Sequence, residues 1–309
     1  MLKYMIVQLC DTAASFCHYP NTRSERKLIP AETLKKALHM AMCENLNVQF
    51  LYPEYPLSSE YEALIESVDH AKVAVAGSVD NVDITILPSL AEVDRVKDDE
   101  TVCVRLSIAE LCDSTEALSK LLRRVKRLNV SLTDHHIAKE ADMDEYGKAL
   151  DKLAKTVAEE YAKEHFVQFN LLTDRLMLKE MNNCNAGFES VTLAPDGKFY
   201  ICPAFYLDGE NAVGDPETGI VIPNEQLFRL DHAPICRKCD AWQCRRCVWM
   251  NKKRTFEVNT PGKGQCITAH TERVASKRLK KLIDAIAPDN TLNKIKELDY
   301  NDPFVTATR

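Results

Sequence analysis

The sequence is short of glycine: nine residues in 309, with only Gly77 and Gly147 before residue 180. Backbone that must approach a ligand closely, or turn through positive φ, uses glycine for both. The first half therefore holds no glycine-rich binding loop. A basic excess is missing as well. The formal net charge is -6, which argues against a nucleic-acid partner, because a phosphate-binding face shows as surplus Lys and Arg. No apolar run reaches the roughly 20 residues that a membrane helix needs. The start, MLKYMIVQLCD, reads as a first strand and has no small-residue cleavage site to make it a signal peptide. These absences lead us to expect a cytoplasmic protein without a membrane or nucleic-acid partner.

Cysteine is what the sequence has in quantity, with twelve residues. In a reducing compartment, clustered thiols point to metal or catalysis and away from disulfides. Five are spread over the first 183 residues: Cys10, Cys17, Cys43, Cys103 and Cys112. Seven fall between Cys184 and Cys266.

Residues 1–180 alternate strand-like and helix-like stretches. The apolar runs are Tyr4–Leu9, Val48–Leu51, Lys72–Val75, Val102–Leu106, Asn129–Leu132 and Phe166–Leu171, with Ile84–Leu87 a further short one. Amphipathic stretches lie between them at Ala31–Cys43, Glu60–Ser67, Ser114–Lys126 and Asp144–Glu164. This alternation predicts βαβ units and a parallel sheet, curled as an open sheet or partial barrel. After Met181 the helical periodicity gives way to turns. Pro195-Asp196-Gly197 predicts a hairpin between two short strands, and His270–Ile286 predicts an amphipathic helix.

The seven later cysteines run Cys184, twelve residues, Gly197, four residues, Cys202; then Cys236-x2-Cys239-x4-Cys244-x2-Cys247; then Cys266. Each CxxC pair presents two thiolates from one tight knuckle. Soft ligands in this number select zinc or iron–sulfur. Zinc-ribbon pairs usually stand about 15–20 residues apart, so the four-residue linker here more easily sends the two pairs to different centres. Seven ligands also fit two clusters, one of them short of a cysteine, better than complete four-ligand zinc sites.

This order resembles the SPASM module, the auxiliary-cluster extension of radical SAM enzymes that mature ribosomally made peptides. The usual central spacing there, C-x2-C-x5-C-x3-C, is one residue longer in two places. The resemblance implies one [4Fe–4S] cluster on Cys236, Cys239, Cys244 and Cys266, and a second on Cys184, Cys202 and Cys247 with its fourth ligand unnamed. It also implies a partial (β/α)6 barrel ahead of the module. In that family the loop after the first strand carries C-x3-C-x2-C, which holds the cluster that binds S-adenosylmethionine. Here the three positions are Cys10, Ala14 and Cys17, and alanine has no donor atom. The Gly-Gly-Glu stretch expected after the second strand is replaced by Phe50-Leu51-Tyr52-Pro53-Glu54-Tyr55-Pro56. No site for S-adenosylmethionine is expected. The His18–Asn21 and Cys236–Lys253 segments make the whole chain resemble the CXXX repeat peptide maturases.

The expected architecture is α/β: a degenerate radical-SAM-like partial barrel over 1–180, a SPASM-like module over 181–269, and a C-terminal helix and tail over 270–309. The expected role is an accessory or pseudoenzyme component of peptide maturation that binds a cysteine-containing precursor peptide, with a catalytic partner protein as a further associate. An active redox or radical maturase and a zinc-stabilised scaffold are the alternatives. Cys10 and Cys17 are candidates for the missing ligand, against a reading as relics or core residues. His135 and His136, after the run Asn129–Leu132, are candidates for metal or proton chemistry, against a solvated loop. Trp242 and Trp249 are read as shields of the clusters or as ordinary packing. Arg245, Arg246, Lys252, Lys253 and Arg254 are read as a solvated basic face.

Overall fold

The structure, a computed structural model, describes residues 2–178, 184–239, 241, 244 and 247–295. Trp242, Arg245 and Arg246 lie outside the described residues. In chain order the elements are β1 (Tyr4–Gln8), α1 (Ala31–Cys43), β2 (Asn47–Leu51), α2 (Ser59–Ile65), β3 (His70–Val75), β4 (Ile84–Leu87), β5 (Thr101–Leu106), α3 (Ile108–Asp113), α4 (Thr115–Leu122) and β6 (Arg127–Leu132). Then follow α5 (Met143–Ala162), β7 (Gln168–Phe169), α6 (Asp174–Met177), β8 (Ser190–Leu193), β9 (Phe199–Tyr200), α7 (Pro203–Leu207), β10 (Gly214–Asp215), β11 (Gly219–Ile220), α8 (Val248–Thr255) and α9 (Lys263–Ile286). No described helix is long and apolar enough to cross a membrane.

The chain divides into two compact units. One comprises residues 1–88 and 184–229, the other 89–183 and 230–309. In the first, the strand order is β11-β10-β9-β8-β1-β2-β3-β4. β1 lies parallel to β2 on one side and to β8 on the other, so Tyr4 meets Asn47 and Ser190. Such a strand is covered on both faces and reads as a near-continuous apolar run; Met5 and Val7 on one face and Ile6 and Gln8 on the other are all buried. The expected hairpin is present: Leu193 pairs Phe199 across a turn in which Gly197 takes φ +84°. Glycine fits this left-handed turn without strain. The apolar stripe of α1, Leu34, Ala37, Leu38 and Ala41, is buried at helical spacing.

In the second unit β5, β6 and β7 are parallel, and α5 packs along α9. α9 begins at Lys263, seven residues before the helix expected at His270. Gln265 Oε1 accepts from the Gly262 N–H at 2.9 Å, and its Nε2 donates to Asn251 Oδ1 at 3.0 Å. This buried amide starts the helix early and places Cys266 inside it.

Gly264 sits in the first turn of α9, where a Cβ would come within 2.7 Å of the His135 carbonyl oxygen and 2.9 Å of the Ala138 nitrogen. Glycine normally costs a helix about 1 kcal/mol against alanine, but backbone cannot yield here. Gly264→Ala is expected to destabilise by about 1–3 kcal/mol. Gly147→Ala, in α5 with nothing nearer than 3.7 Å, is expected to stabilise by about 0.5–1 kcal/mol. Thermal unfolding of the two variants side by side checks the contrast.

Candidate metal centres and the first-strand loop

In the first unit the loop after β1 is held by a dense polar network. Asn21 donates to the carbonyl oxygens of Asp11 at 2.7 Å and Ala13 at 2.8 Å. Asp11, 4% exposed, accepts from Arg23 Nη1 at 3.0 Å and from the Tyr206 hydroxyl at 2.6 Å. The Arg23 guanidinium also lies 4.1 Å above the Tyr206 ring. A buried carboxylate needs such partners. One of those partners, Tyr206, lies 195 positions away in sequence.

The three positions of the degenerate motif part company in this loop. Cys10 is buried; the Tyr55 hydroxyl donates to its sulfur at 3.1 Å, and Thr12 Oγ1 stands 3.3 Å from it. Ala14 packs with Phe16 against the apolar cluster of Ile6, Ala13, Leu51, Val73, Val75 and Ile86. The place of a middle ligand is a hydrophobic contact. Cys17 is half-buried and lies within electrostatic reach of Cys202.

Cys202 follows the β8–β9 hairpin and precedes α7. Burial pushes its thiol well up, the neighbouring Cys184 adds to the rise, the Phe205 and Ala204 N–H groups oppose it, and Cys17 raises it further. Cys17 and Cys184 thus both lie within electrostatic reach of Cys202. The Asp11–Arg23–Tyr206 contacts fasten the loop that carries Cys17 to the helix that follows Cys202.

In the second unit Cys236, Cys239, Cys244 and Cys266 line one cavity of about 30 Å³, closed by Leu230, Ile235, Ala241, Pro261, Gln265, Ala269 and His270. Cys236 opens a 3-10 turn, Cys236–Lys238. The Ala241 N–H donates to Cys239 Sγ at 3.4 Å, the kind of bond that stabilises a thiolate in a knuckle. Burial pushes the Cys244 thiol far up; Cys236 adds to the rise, Arg175 opposes it, and Glu272 and Cys239 add again. Burial, then Cys239, likewise raises Cys266. A metal that binds these thiols displaces their protons.

Beneath this cavity lies a buried ion pair absent from the sequence expectations. Arg175 is fully buried. Its Nη2 donates to Glu272 Oε2 at 3.0 Å and to the carbonyl oxygen of Ala269, a cavity residue, at 3.4 Å; Nη1 donates to Leu171 O at 2.9 Å. The Tyr146 hydroxyl donates to Glu272 Oε1 at 3.0 Å.

Cys247 caps α8 and is half-buried; it is not among the cavity-lining residues. His135 and His136 are not among them either. His135 Nδ1 stands 2.9 Å from the Leu132 carbonyl oxygen. Burial and then Arg254 hold the His136 pKa down, and its Nδ1 is buried without a hydrogen bond. Trp249 lies in α8 with the Lys253 ammonium 5.9 Å from its ring centre. Cys103 is buried and Cys112 half-buried, while Cys43, at the end of α1, is exposed with His39 Nε2 3.7 Å from its sulfur.

Among the described residues, no three His, Cys, Asp or Glu side chains stand close enough to hold an ion as they are placed. The donor chemistry of the cavity nevertheless fits a metal centre: four thiols and one imidazole face a small, mainly apolar space. Such soft donors suit zinc or iron–sulfur.

The fold is similar to that of anSMEcpe. One structure of that protein, with bound AdoMet, superposes with a TM-score of 0.63 at 14% identity, over 94% of this chain and 97% of that one. A second, with bound AdoMet and Kp18Cys peptide, gives 0.62 at 14% identity, over 93% and 99%. Streptococcus suis SuiB bound to precursor peptide SuiA gives 0.47 at 12% identity, over 86% and 76%. No family model matches the sequence, and no curated protein does. At 14% identity the likeness to anSMEcpe shows the fold alone, α/β with mostly parallel strands.

Proposed function

We propose that the chain is an iron–sulfur-binding, noncatalytic component of ribosomal peptide maturation that holds a cysteine-containing precursor peptide. Residues 1–180 are read as the degenerate radical-SAM-like barrel, 181–269 as the SPASM-like module and 270–309 as the helix and tail, in the manner of the CXXX repeat peptide maturases. The observation that carries this is the four-thiol cavity. Cys236, Cys239, Cys244 and Cys266 would hold one [4Fe–4S] cluster; a second, which the resemblance assigns to Cys184, Cys202 and Cys247, would draw on Cys17 as a further ligand. A bound cluster would offer electron transfer or an open iron for a thiolate of the peptide.

The packing of Ala14 into an apolar cluster supports the noncatalytic part. Three thiolates are needed to hold the cluster that binds S-adenosylmethionine, and the loop supplies only Cys10 and Cys17, in different surroundings. A protein of the same fold is described with AdoMet and a peptide bound; we read the peptide site as kept here and the AdoMet site as lost. Reconstituted anaerobically and given reductant and S-adenosylmethionine, the chain is expected to leave the cofactor uncleaved, and Ala14→Cys is expected to leave it uncleaved too. Reductive cleavage by the unaltered chain would overturn the noncatalytic reading. Cleavage gained only by Ala14→Cys would show that the remainder of the site is intact.

A second reading is favoured by the size of the cavity. About 30 Å³ is nearer the room of a single ion than of a cuboidal cluster, and either requires the side chains to shift. A zinc-stabilised scaffold would be colourless with stoichiometric zinc.

A further inference from the structure

The end of α8 carries the most exposed large apolar side chain among the described residues. Phe256 is 88% exposed and takes φ +63°, the left-handed conformation that glycine usually fills just past a helix. A bulky residue is strained there, and such strain persists only where the surroundings over-determine it. They do so here. The Phe256 N–H donates to the Lys252 carbonyl oxygen at 3.0 Å. The Thr255 hydroxyl donates to the Thr260 carbonyl oxygen at 2.7 Å, and the buried Asn251 amide donates to the Val258 carbonyl oxygen at 2.8 Å. The loop is a fixed mount for an outward ring. Cations adjoin it: from residue 252 to 263 the chain has Lys252, Lys253, Arg254 and Lys263 against one carboxylate, Glu257. Lys263 also meets Glu140 at 2.8 Å, so the excess comes from the last turn of α8. A second exposed apolar residue, Ile137 at 54%, hangs from a loop against the same turn of α9. A Cβ on Gly264 would meet the backbone of His136 and Ala138, and one on Gly262 would meet Arg254 Cγ at 2.7 Å.

We infer that the Phe256 tip is a peripheral docking point for an anionic lipid surface, with the ring in the headgroup region and the α8 cations facing the phosphates. The tip protrudes, and what it offers is a ring and charges on mobile stems. The polar side chains of the mount, Asn251 and Thr255, are spent within the loop. A specific protein interface draws about one hydrogen bond per 100–200 Å², whereas a lipid surface asks only for apolar insertion and counter-charge. The lack of a spanning helix among the described residues bears on crossing a membrane, not on resting against one. The acidic remainder of the chain is screened beyond about 8 Å at physiological ionic strength. Neither a metal nor the precursor peptide enters the inference.

The test is co-sedimentation of the whole chain with vesicles at millimolar lipid, either phosphatidylcholine alone or phosphatidylcholine with phosphatidylserine. Weak, reversible binding to the anionic vesicles is expected, lost at high salt and absent on the neutral ones. Lys252→Gln/Lys253→Gln is expected to weaken it by about 25-fold, at about five-fold for each cation near the surface. Phe256→Gly is expected to weaken it by about ten-fold or more, the burial of an aromatic ring being lost. The same variant is expected to raise the unfolding midpoint by about 1–3 °C, because glycine relieves the left-handed strain. A loss of binding in a better-folded protein cannot be put down to damage. Val221→Ser, which alters a residue 73% exposed in the first unit, is expected to bind as before. No binding to the anionic vesicles, or undiminished binding by Phe256→Gly, would overturn the inference. So would concentration-dependent self-association without lipid that Phe256→Gly abolishes, since the tip would then dock on a second copy of the chain.

Discussion

Replacing Cys236 and Cys239 with serine is expected to empty the second unit's cavity of metal and to unfold the segment around it. Between Leu230 and Cys247 the described chain forms only a 3-10 turn, and Ile235 is 54% exposed. That stretch has little apolar surface of its own to bury. Structural zinc sites in small peptides bind with about 10–16 kcal/mol at neutral pH, which is comparable to the whole stability of a domain, about 5–15 kcal/mol. Loss of the two knuckle thiols therefore removes most of what orders the segment. Limited proteolysis should show rapid cutting between residues 230 and 262, with the first unit resistant. Cys43→Ser, which alters an exposed thiol at the end of α1, should leave both metal content and cutting pattern unchanged. Equal protease resistance in the double variant would mean that the fold of this region does not depend on metal.

Arg175→Met is expected to be the most damaging single substitution away from the cysteines, at about 3–5 kcal/mol. The energy comes less from the lost attraction than from what remains. Glu272, with 7% of its side chain exposed, would be left charged and unpaired in a poorly solvated place. The correcting variant follows from that account. Arg175→Met combined with Glu272→Gln removes both charges, keeps an acceptor for the Tyr146 hydroxyl, and should recover most of the stability, as replacement of whole buried pairs often does. Denaturant midpoints of the two single variants and the double variant decide it. If the double variant is as unstable as the sum of the singles, the pair is not acting as a compensated charge pair.

The parallel strands were legible because a strand buried on both faces is a nearly continuous apolar run, as in Tyr4–Leu9, where only Gln8 interrupts it. The last of them was overextended. The expected run Phe166–Leu171 shrinks to Gln168–Phe169. Phe166 is 55% exposed, and the Asn170 side chain takes over the ladder, accepting from Val130 N–H at 3.0 Å and donating to Val130 O at 3.1 Å. An amide side chain that imitates backbone leaves no mark in an apolar pattern. Spacing singled out the seven cysteines, because a knuckle is a local object, but it pointed the two CxxC pairs to different centres; the set Cys236, Cys239, Cys244 and Cys266 that lines one cavity was implied only by the family resemblance. His270, which lines it too, was not singled out, since it stood as the first residue of an amphipathic helix, and its neighbour Cys239 is 31 positions away. Arg175 and Glu272, 97 positions apart, look like two ordinary surface charges until α6 and α9 are placed. The separate surroundings of Cys10, Ala14 and Cys17 depend on a loop fastened by residues as distant as Tyr206, which a local motif cannot show.

The central claim is that the cavity lined by Cys236, Cys239, Cys244 and Cys266 is a metal centre. Anaerobic purification, followed by an absorption spectrum and a count of iron, acid-labile sulfide and zinc per chain, tests it most directly. The account predicts iron and sulfide in equal amounts with a cluster's visible absorption, and a fall in both by one cluster's share in the Cys236→Ser/Cys239→Ser variant. A chain carrying neither iron nor zinc, with all twelve thiols titratable, would contradict it.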